Sequence, residues 1–205
     1  VAYFPDFIYR PSDDTYQTLN VVLAFLRISK HQYEYFIEVG SGSGYIIVNV
    51  AKLHGSHFKR FIATDLNCTA AKETAKYASD EGLNNVDSVC CNLVDCLRPL
   101  GGSLIVFNTP YLMCSEDELS SGDPAYVSIC RNYRGDVLVG VINIIKSGCC
   151  EFILTVSGDG LEFMESSLRS FKPLYFIDII GNTHMMFEDV ATIHLTRLTN
   201  LNVNV

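Results

Sequence analysis

The chain has 205 residues, 48% of them hydrophobic and 19% charged, a balance that excludes disorder and supports a core without staples. A formal net charge of −8 argues against a broad phosphate-binding surface, because nucleic-acid affinity is carried by Lys and Arg. No apolar stretch is long enough to span a bilayer and no secretory signal opens the chain, so a cytoplasmic protein is expected, with the nucleus also open to it. In chain order, Ser12 and Asp13 are N-cap candidates for a helix over Asp14–Ile28, whose Leu19, Val22, Leu23 and Leu26 recur at helical spacing. A strand is expected over Tyr35–Val39, then a helix over Tyr45–Leu53 and a strand over Arg60–Asp65. The Ala-rich spacing of Thr69–Glu81 predicts a helix that Gly82 stops. Val86–Cys91 and Ser103–Phe107 are the next strands, followed by a buried helix over Asp136–Ile145 with Gly148 beyond it. Cys150–Val156 is a strand, Leu161–Phe171 a helix, Leu174–Ile180 a strand, and Val190–Leu195 closes the sheet.

This alternation implies parallel βαβ units and an α/β fold: a seven-stranded, mostly parallel sheet with helices on both faces, in one domain over 1–205. The longest loop, Leu112–Tyr133, is rich in Ser, Gly, Asp and Glu; it either lines a substrate site or is a surface excursion. The eight cysteines have no C-x-x-C and no regular spacing, and neighbours such as Cys90 and Cys91 point to opposite faces of a strand. They are read as reduced, buried thiols, with no metal site. His31, His54, His57, His184 and His194 form no triad or metal pattern.

Two strand ends carry the chemistry. Tyr35–Val39 runs into Gly40-Ser41-Gly42-Ser43-Gly44, which lacks the third glycine of the dinucleotide fingerprint and suits a nucleoside without pyrophosphate. About 20 residues further on, Asp65 ends the second strand, where a carboxylate can accept the hydroxyls of a ribose or serve as a turn residue. Ser103–Phe107 runs into Asn108-Thr109-Pro110-Tyr111, which places an amide, a rigid turn and an aromatic ring at the rim where open α/β sheets bind ligands.

Glu38 through Gly44, with Asp65, resembles the first two motifs of class I S-adenosylmethionine-dependent methyltransferases. Asn108-Thr109-Pro110-Tyr111 is similar to their N-P-P-Y motif, found in enzymes that methylate planar nitrogens. Tyr9-Arg10-Pro11-Ser12-Asp13-Asp14-Thr15-Tyr16 is similar to the Y-x-P-[AS]-x-D-T-[FY] segment of the eukaryotic and archaeal HemK-like glutamine methyltransferases. The likeness extends through Arg134-Gly135-Asp136-Val137 to the last strand.

The resemblance implies a Rossmann-like methyltransferase fold that modifies the glutamine of the GGQ loop in a class I release factor, itself bound to its GTPase partner. It implies S-adenosylmethionine as cofactor, held by Thr15, Glu38, Gly40, Ser41, Gly42, Gly44, Asp65, Leu66, Asn92, Leu93 and Asn108. Asn108, Thr109, Pro110 and Tyr111 are implied as catalytic, and Tyr9, Pro11, Asn108, Pro110 and Tyr111 as substrate-binding, with residues 1–30 packing over the cofactor site. A small zinc-binding activator is implied as a heterodimer partner on the edge strand through Val86, Ser88, Val89 and Cys90; no membrane or direct nucleic-acid partner is expected. The family pattern is broken at Thr109, where it has proline, at Asn92, where it has aspartate, and before Arg134, where a Trp- and Gly-rich stretch is missing. The alternatives are an amino-methyltransferase of adenine or cytosine in nucleic acid, and a degenerate scaffold that does no chemistry.

Overall fold

The computed structural model describes residues 8–98, 101–121, 123, 125–133, 135–146, 150–169, 175–185 and 188–197. Arg134, Gly148, Phe171 and Leu174, named above, lie outside them, as does Cys149, one of the eight cysteines. The elements run α1 (Asp13–Ile28), β1 (Tyr33–Val39), α2 (Tyr45–His54), β2 (Phe58–Asp65), α3 (Cys68–Asp80), β3 (Val86–Cys90), β4 (Ser103–Asn108), α4 (Glu116–Ser120) and α5 (Ala125–Ile129). They continue with α6 (Val137–Lys146), β5 (Cys150–Ser157), α7 (Gly158–Leu168), β6 (Tyr175–Met185) and β7 (Glu188–Arg197). The strands form one seven-stranded sheet in the order β3-β2-β1-β4-β5-β7-β6. The first five are parallel to one another, and β7 lies antiparallel between β5 and β6. The last strand therefore does not finish the sheet; it is inserted, and β6 takes the edge.

Side-chain alternation divides the core between the two sheet faces. Ile37, Val39, Ile105, Phe107, Phe152, Leu154 and Val156 face α6 and α7, packing with Leu138, Val141, Ile142, Ile145, Met164 and Leu168. Phe36, Leu104, Val106 and Ile153 face the other way, onto Val22 and Leu26 of α1 and Ile46, Ile47 and Val50 of α2. Each such side chain taken fully out of water contributes about 1.5–3 kcal/mol, so both faces are firmly covered. The edge strand β3 is covered less well, with Val89 36% exposed.

The segment 112–133 is not a structureless loop. Ser115 caps α4 by accepting the Glu118 amide, while the Glu118 carboxylate takes the Ser115 amide at 2.8 Å, a reciprocal pair that starts a helix of barely more than one turn. Arg131, only 7% exposed, then anchors the segment: its guanidinium meets Asp136 at 2.9 Å and Asp159 at 3.3 Å and lies 5.5 Å over the Phe163 ring. Helix α7 begins at Gly158, three residues before the expected start, because Ser157 caps it by accepting the Gly160 amide.

The cysteine reading is also corrected. Cys68 is bonded to Cys90, Cys91 to Cys96 and Cys114 to Cys130, with Cα separations of 4.7, 5.9 and 5.6 Å. These spans suit a disulfide. Spacing hid the pairs because the fold makes them: β3 runs beside the β2–α3 turn, and Leu112 bridges Cys130 next to the third pair. Cys90 and Cys91 do point apart, which is why each has its own partner.

Candidate functional site

Parallel pairing brings the carboxyl ends of β1, β2, β3, β4 and β5 to one rim. Val39 lies level with Thr64 and Phe107, Asp65 with Cys90, and Asn108 with Thr155. A cavity of about 290 Å³ opens there. Of the residues singled out in the sequence, Tyr9, Pro11, Thr15, Glu38, Gly40, Ser41, Gly42, Asp65, Leu66, Asn92, Leu93, Asn108, Thr109, Pro110 and Tyr111 all line it. Gly44 does not: a Cβ there would meet the Thr74 backbone at 3.0 Å, so this glycine lets α2 start against α3. Val86, Ser88, Val89 and Cys90 sit on the β3 edge, away from the lining, with Cys90 tied to Cys68.

One half of the cavity is built around the glycine turn. Gly40 adopts φ +64°, and a Cβ on it would come within 2.9 Å of the Phe107 ring, so no side chain fits between this turn and β4. Glu38 is buried under the turn and accepts the Ile47 amide at 2.8 Å, pinning the start of α2. Burial pushes its carboxyl well above the ordinary range, opposed by the Ile47 amide and assisted by the nearby Asp65. The Asp65 carboxylate bridges two loops, accepting the Gly42 amide on one oxygen and the Asn67 amide on the other, each at 2.8 Å. Burial raises its pKa too, against those two hydrogen bonds. Helix α3 is capped by Asn67, which accepts the Thr69 amide at 2.9 Å.

Across the cavity, Leu93 holds φ +46°, a backbone conformation uncommon outside glycine, with its side chain packed on Gly140 of α6. Asn92 donates its amide to Asp95 at 2.9 Å. Asp95 can only accept, so the Asn92 carbonyl is left as the acceptor of that side chain.

The other half is built by α1 and the end of β4. Asp14, 2% exposed, accepts from Ser12 Oγ, from the Thr15 amide at 2.8 Å and from the Tyr9 hydroxyl at 3.0 and 3.2 Å. Burial, against the Ser12 hydrogen bond and with the help of Asp14, pushes the Tyr9 hydroxyl up to about 12, which keeps it a donor at neutral pH. Asp14 also accepts Asn108 Nδ2 at 2.9 Å, while Asn108 Oδ1 is buried with no hydrogen-bond partner among the described residues. An orphaned buried acceptor costs about 1–3 kcal/mol, so this one marks a place for a donor. Thr109, at the position of the family's proline, uses what proline lacks: its amide and hydroxyl both donate to the Thr155 carbonyl, at 3.1 and 2.7 Å. A buried run of hydroxyls, Thr18 to Thr155 at 2.6 Å and Thr155 to Thr192 at 3.0 Å, ties α1 to β5 and β7 behind the turn.

The lining contains Asp14, Glu38 and Asp65 but no Lys, Arg or His. It suits a cationic or neutral ligand rather than a phosphate. Sequence reasoning placed Asp14 only within the amino-terminal segment packing over the cofactor site and did not single it out as a site residue, and it missed Ser128 and Ile129 of α5, which also line the cavity. Among the described residues no group of three His, Cys, Asp or Glu is placed to hold a metal ion.

No protein-family model matches the chain. It is 27% identical, over 93% of its length and 92% of the relative's, to a Methanocaldococcus jannaschii protein named "Putative protein N5-glutamine methyltransferase". Its fold is similar to the structure of the E. cuniculi Mtq2–Trm112 complex responsible for methylation of the eRF1 translation termination factor. The TM-score is 0.63 at 17% identity, covering 92% of this chain and 97% of that one. It is equally similar, at TM-score 0.63 and 14% identity, to the N-terminal domain of human METTL16 in complex with SAH, covering 92% of this chain and 72% of that one. The fold is that of the class I Rossmann-like methyltransferases.

Proposed function

We propose that the protein transfers a methyl group from S-adenosylmethionine to the side-chain nitrogen of a glutamine, that of the GGQ loop in a class I release factor. The observation that carries this reading is the Asn108 amide, turned by Asp14 so that a buried, unpartnered carbonyl serves the cavity. The M. jannaschii relative and the E. cuniculi complex support it through their own described activities.

The cofactor, when bound, supplies an electrophilic sulfonium methyl. The glycine turn, Ser41, Asp65 and Leu66 would hold its sugar side and Asn92 and Leu93 its base, while the acidic lining favours its positive charge. An amide nitrogen is a poor nucleophile because its lone pair is delocalised, so the remaining work of this chain is positioning. Asn108 Oδ1 accepts one amide hydrogen and the Thr109 backbone carbonyl the other, with Pro110 and Tyr111 bounding the flat group. Both contacts strengthen as positive charge develops on the attacking nitrogen. The proton leaves to water after transfer.

The half-exposed β3 edge, with Val89 outward, suits strand addition by a small partner, and we assign a zinc-binding activator to it. The test is mass spectrometry of a release factor incubated with this protein, its activator and cofactor: mass gain on the GGQ glutamine is expected, and an unmodified glutamine sinks the reading. A second reading, methylation of an exocyclic amine of adenine or cytosine, rests on the same acceptor. The absence of Lys and Arg from the cavity lining and the net charge of −8 weigh against it. Methyl transfer to RNA or DNA in the same assay would favour it.

A further inference from the structure

We propose that Asp14 is the positioning residue that makes the site selective for an NH2-bearing planar group over its oxygen counterpart, glutamine over glutamate. The proposal deepens the glutamine reading and rests on it for the identity of the ligand.

An asparagine amide has two nearly isosteric ends, one donor and one acceptor, and a flip about its last bond exchanges them. Which end of Asn108 serves the cavity therefore has to be decided by something else. Asp14 decides it. A carboxylate can only accept, so Nδ2 must be the end that meets Asp14 Oδ2 at 2.9 Å, and Oδ1 is the end left over. With Oδ1 available, the cavity offers an acceptor to a substrate N–H and repels a substrate carboxylate.

The other contacts of Asp14 explain why the arrangement is stiff and how it can be reversed. Oδ1 of Asp14 is held by Ser12 Oγ and the Thr15 amide at 2.8 Å, and both are donors. Oδ2 takes Asn108, with the Tyr9 hydroxyl at 3.0 Å beside it. In Asp14→Asn the one remaining carbonyl oxygen is claimed by Ser12 and Thr15. The new NH2 then stands where Oδ2 was, donor against donor with Asn108. The conflict is relieved when Asn108 flips, turning its carbonyl to residue 14 and its NH2 to the cavity. The variant differs from the parent by a nearly isosteric change and inverts the polarity of a group it does not replace.

The experiment compares the parent and Asp14→Asn, each with activator and cofactor, for binding of two peptides that differ only in Gly-Gly-Gln against Gly-Gly-Glu. The parent is expected to prefer glutamine by at least about tenfold, and the variant to lose or invert that preference while cofactor affinity stays within about threefold. A structural role for Asp14 would instead weaken both peptides together, and that outcome overturns the proposal, as does a parent that binds both peptides equally. In parallel, the side-chain NH2 signal of Asn108 in 15N-labelled protein is followed. It is expected downfield in the parent, where it donates to a carboxylate, and shifted upfield in the variant; an unchanged signal overturns the proposal. This readout needs no peptide, so it still decides the role of Asp14 if the release-factor glutamine proves not to be the substrate.

Discussion

The two halves of the cavity are held in different ways. On the cofactor side the carboxylates of Glu38 and Asp65 are anchored by backbone amides of Ile47, Gly42 and Asn67, groups that any sequence able to make these turns supplies. On the acceptor side the key group, Asn108, is fixed by the side chain of another element, and behind it lie further side-chain contacts, the hydroxyls of Thr18, Thr109, Thr155 and Thr192 and the guanidinium of Arg131. A half built from backbone tolerates substitution of most side chains around it, whereas a half built from side chains fails one residue at a time. On the proposed reading, the difference separates binding from turnover along the boundary between β1–β2 and β4.

The sharpest break in that comparison is Asn108→Ala. It removes the proposed acceptor for the substrate without touching the glycine turn, and transfer is expected to fall by about a thousandfold or more while cofactor affinity stays within about threefold. Single-turnover assay and calorimetry on the same preparation check it. Asp65→Ala should behave oppositely, because it severs the bridge between Gly42 and Asn67 as well as the proposed contact to the sugar. Cofactor affinity is expected to drop about 30-fold, with turnover at saturating cofactor much less affected. If both variants lose binding and turnover alike, the two halves are not separable.

The same division explains what could be read in the chain. The strands and helices around the glycine turn follow from period and from Gly82, and the structure moves their ends by only one or two residues. Strand order carries no such signature: nothing in Glu188–Arg197 says that it pairs antiparallel with β5 rather than lying outside β6. Helices α4 and α5 have five residues each, too few to display a period, so the Ser and Glu that cap α4 looked like loop composition. Asp14 was legible only as part of the amino-terminal segment because its partner is 94 positions away. The disulfide partners, 22, 5 and 16 positions apart, were hidden because the fold rather than any regular spacing brings them together. Thr109 looked like a defect in the turn; its amide and hydroxyl bonds to Thr155 make it a substitute for the rigidity proline would bring.

On the acceptor side Ser128 and Ile129, which line the cavity, lie three and two residues before Arg131, whose amide donates to the Leu112 carbonyl while the Leu112 amide donates to that of Ile129. Arg131→Ala leaves Asp136, which is itself partly buried, without its cation and strips the Phe163 ring of its cover. Stability is expected to fall by about 2 kcal/mol, at the modest end for a buried pair because Asp159 remains well hydrated. The KM for the protein substrate should rise about tenfold while cofactor affinity holds. Denaturant unfolding and steady-state kinetics read the two effects, and a rise in cofactor Kd to match would place Arg131 in the wrong half.

The smallest effect belongs to the cofactor side and is seen as a pH slope. Glu38 is buried, and its folded pKa lies above the unfolded value of about 4.5. Below that value the carboxyl is protonated in both states and costs nothing. As pH rises through it, the unfolded chain releases a proton that the folded chain retains, so stability falls until the raised folded pKa is reached and is level beyond it. Asp65, raised in the same direction, adds to the slope. Glu38→Gln keeps an oxygen for the Ile47 amide and removes the titration, so its unfolding free energy should fall less between pH 5 and pH 8 than that of the parent. Urea unfolding across that range checks it. A parallel pair of curves would mean that Glu38 is as well solvated in the fold as out of it, and that the glycine turn is held by something other than a buried carboxyl under α2.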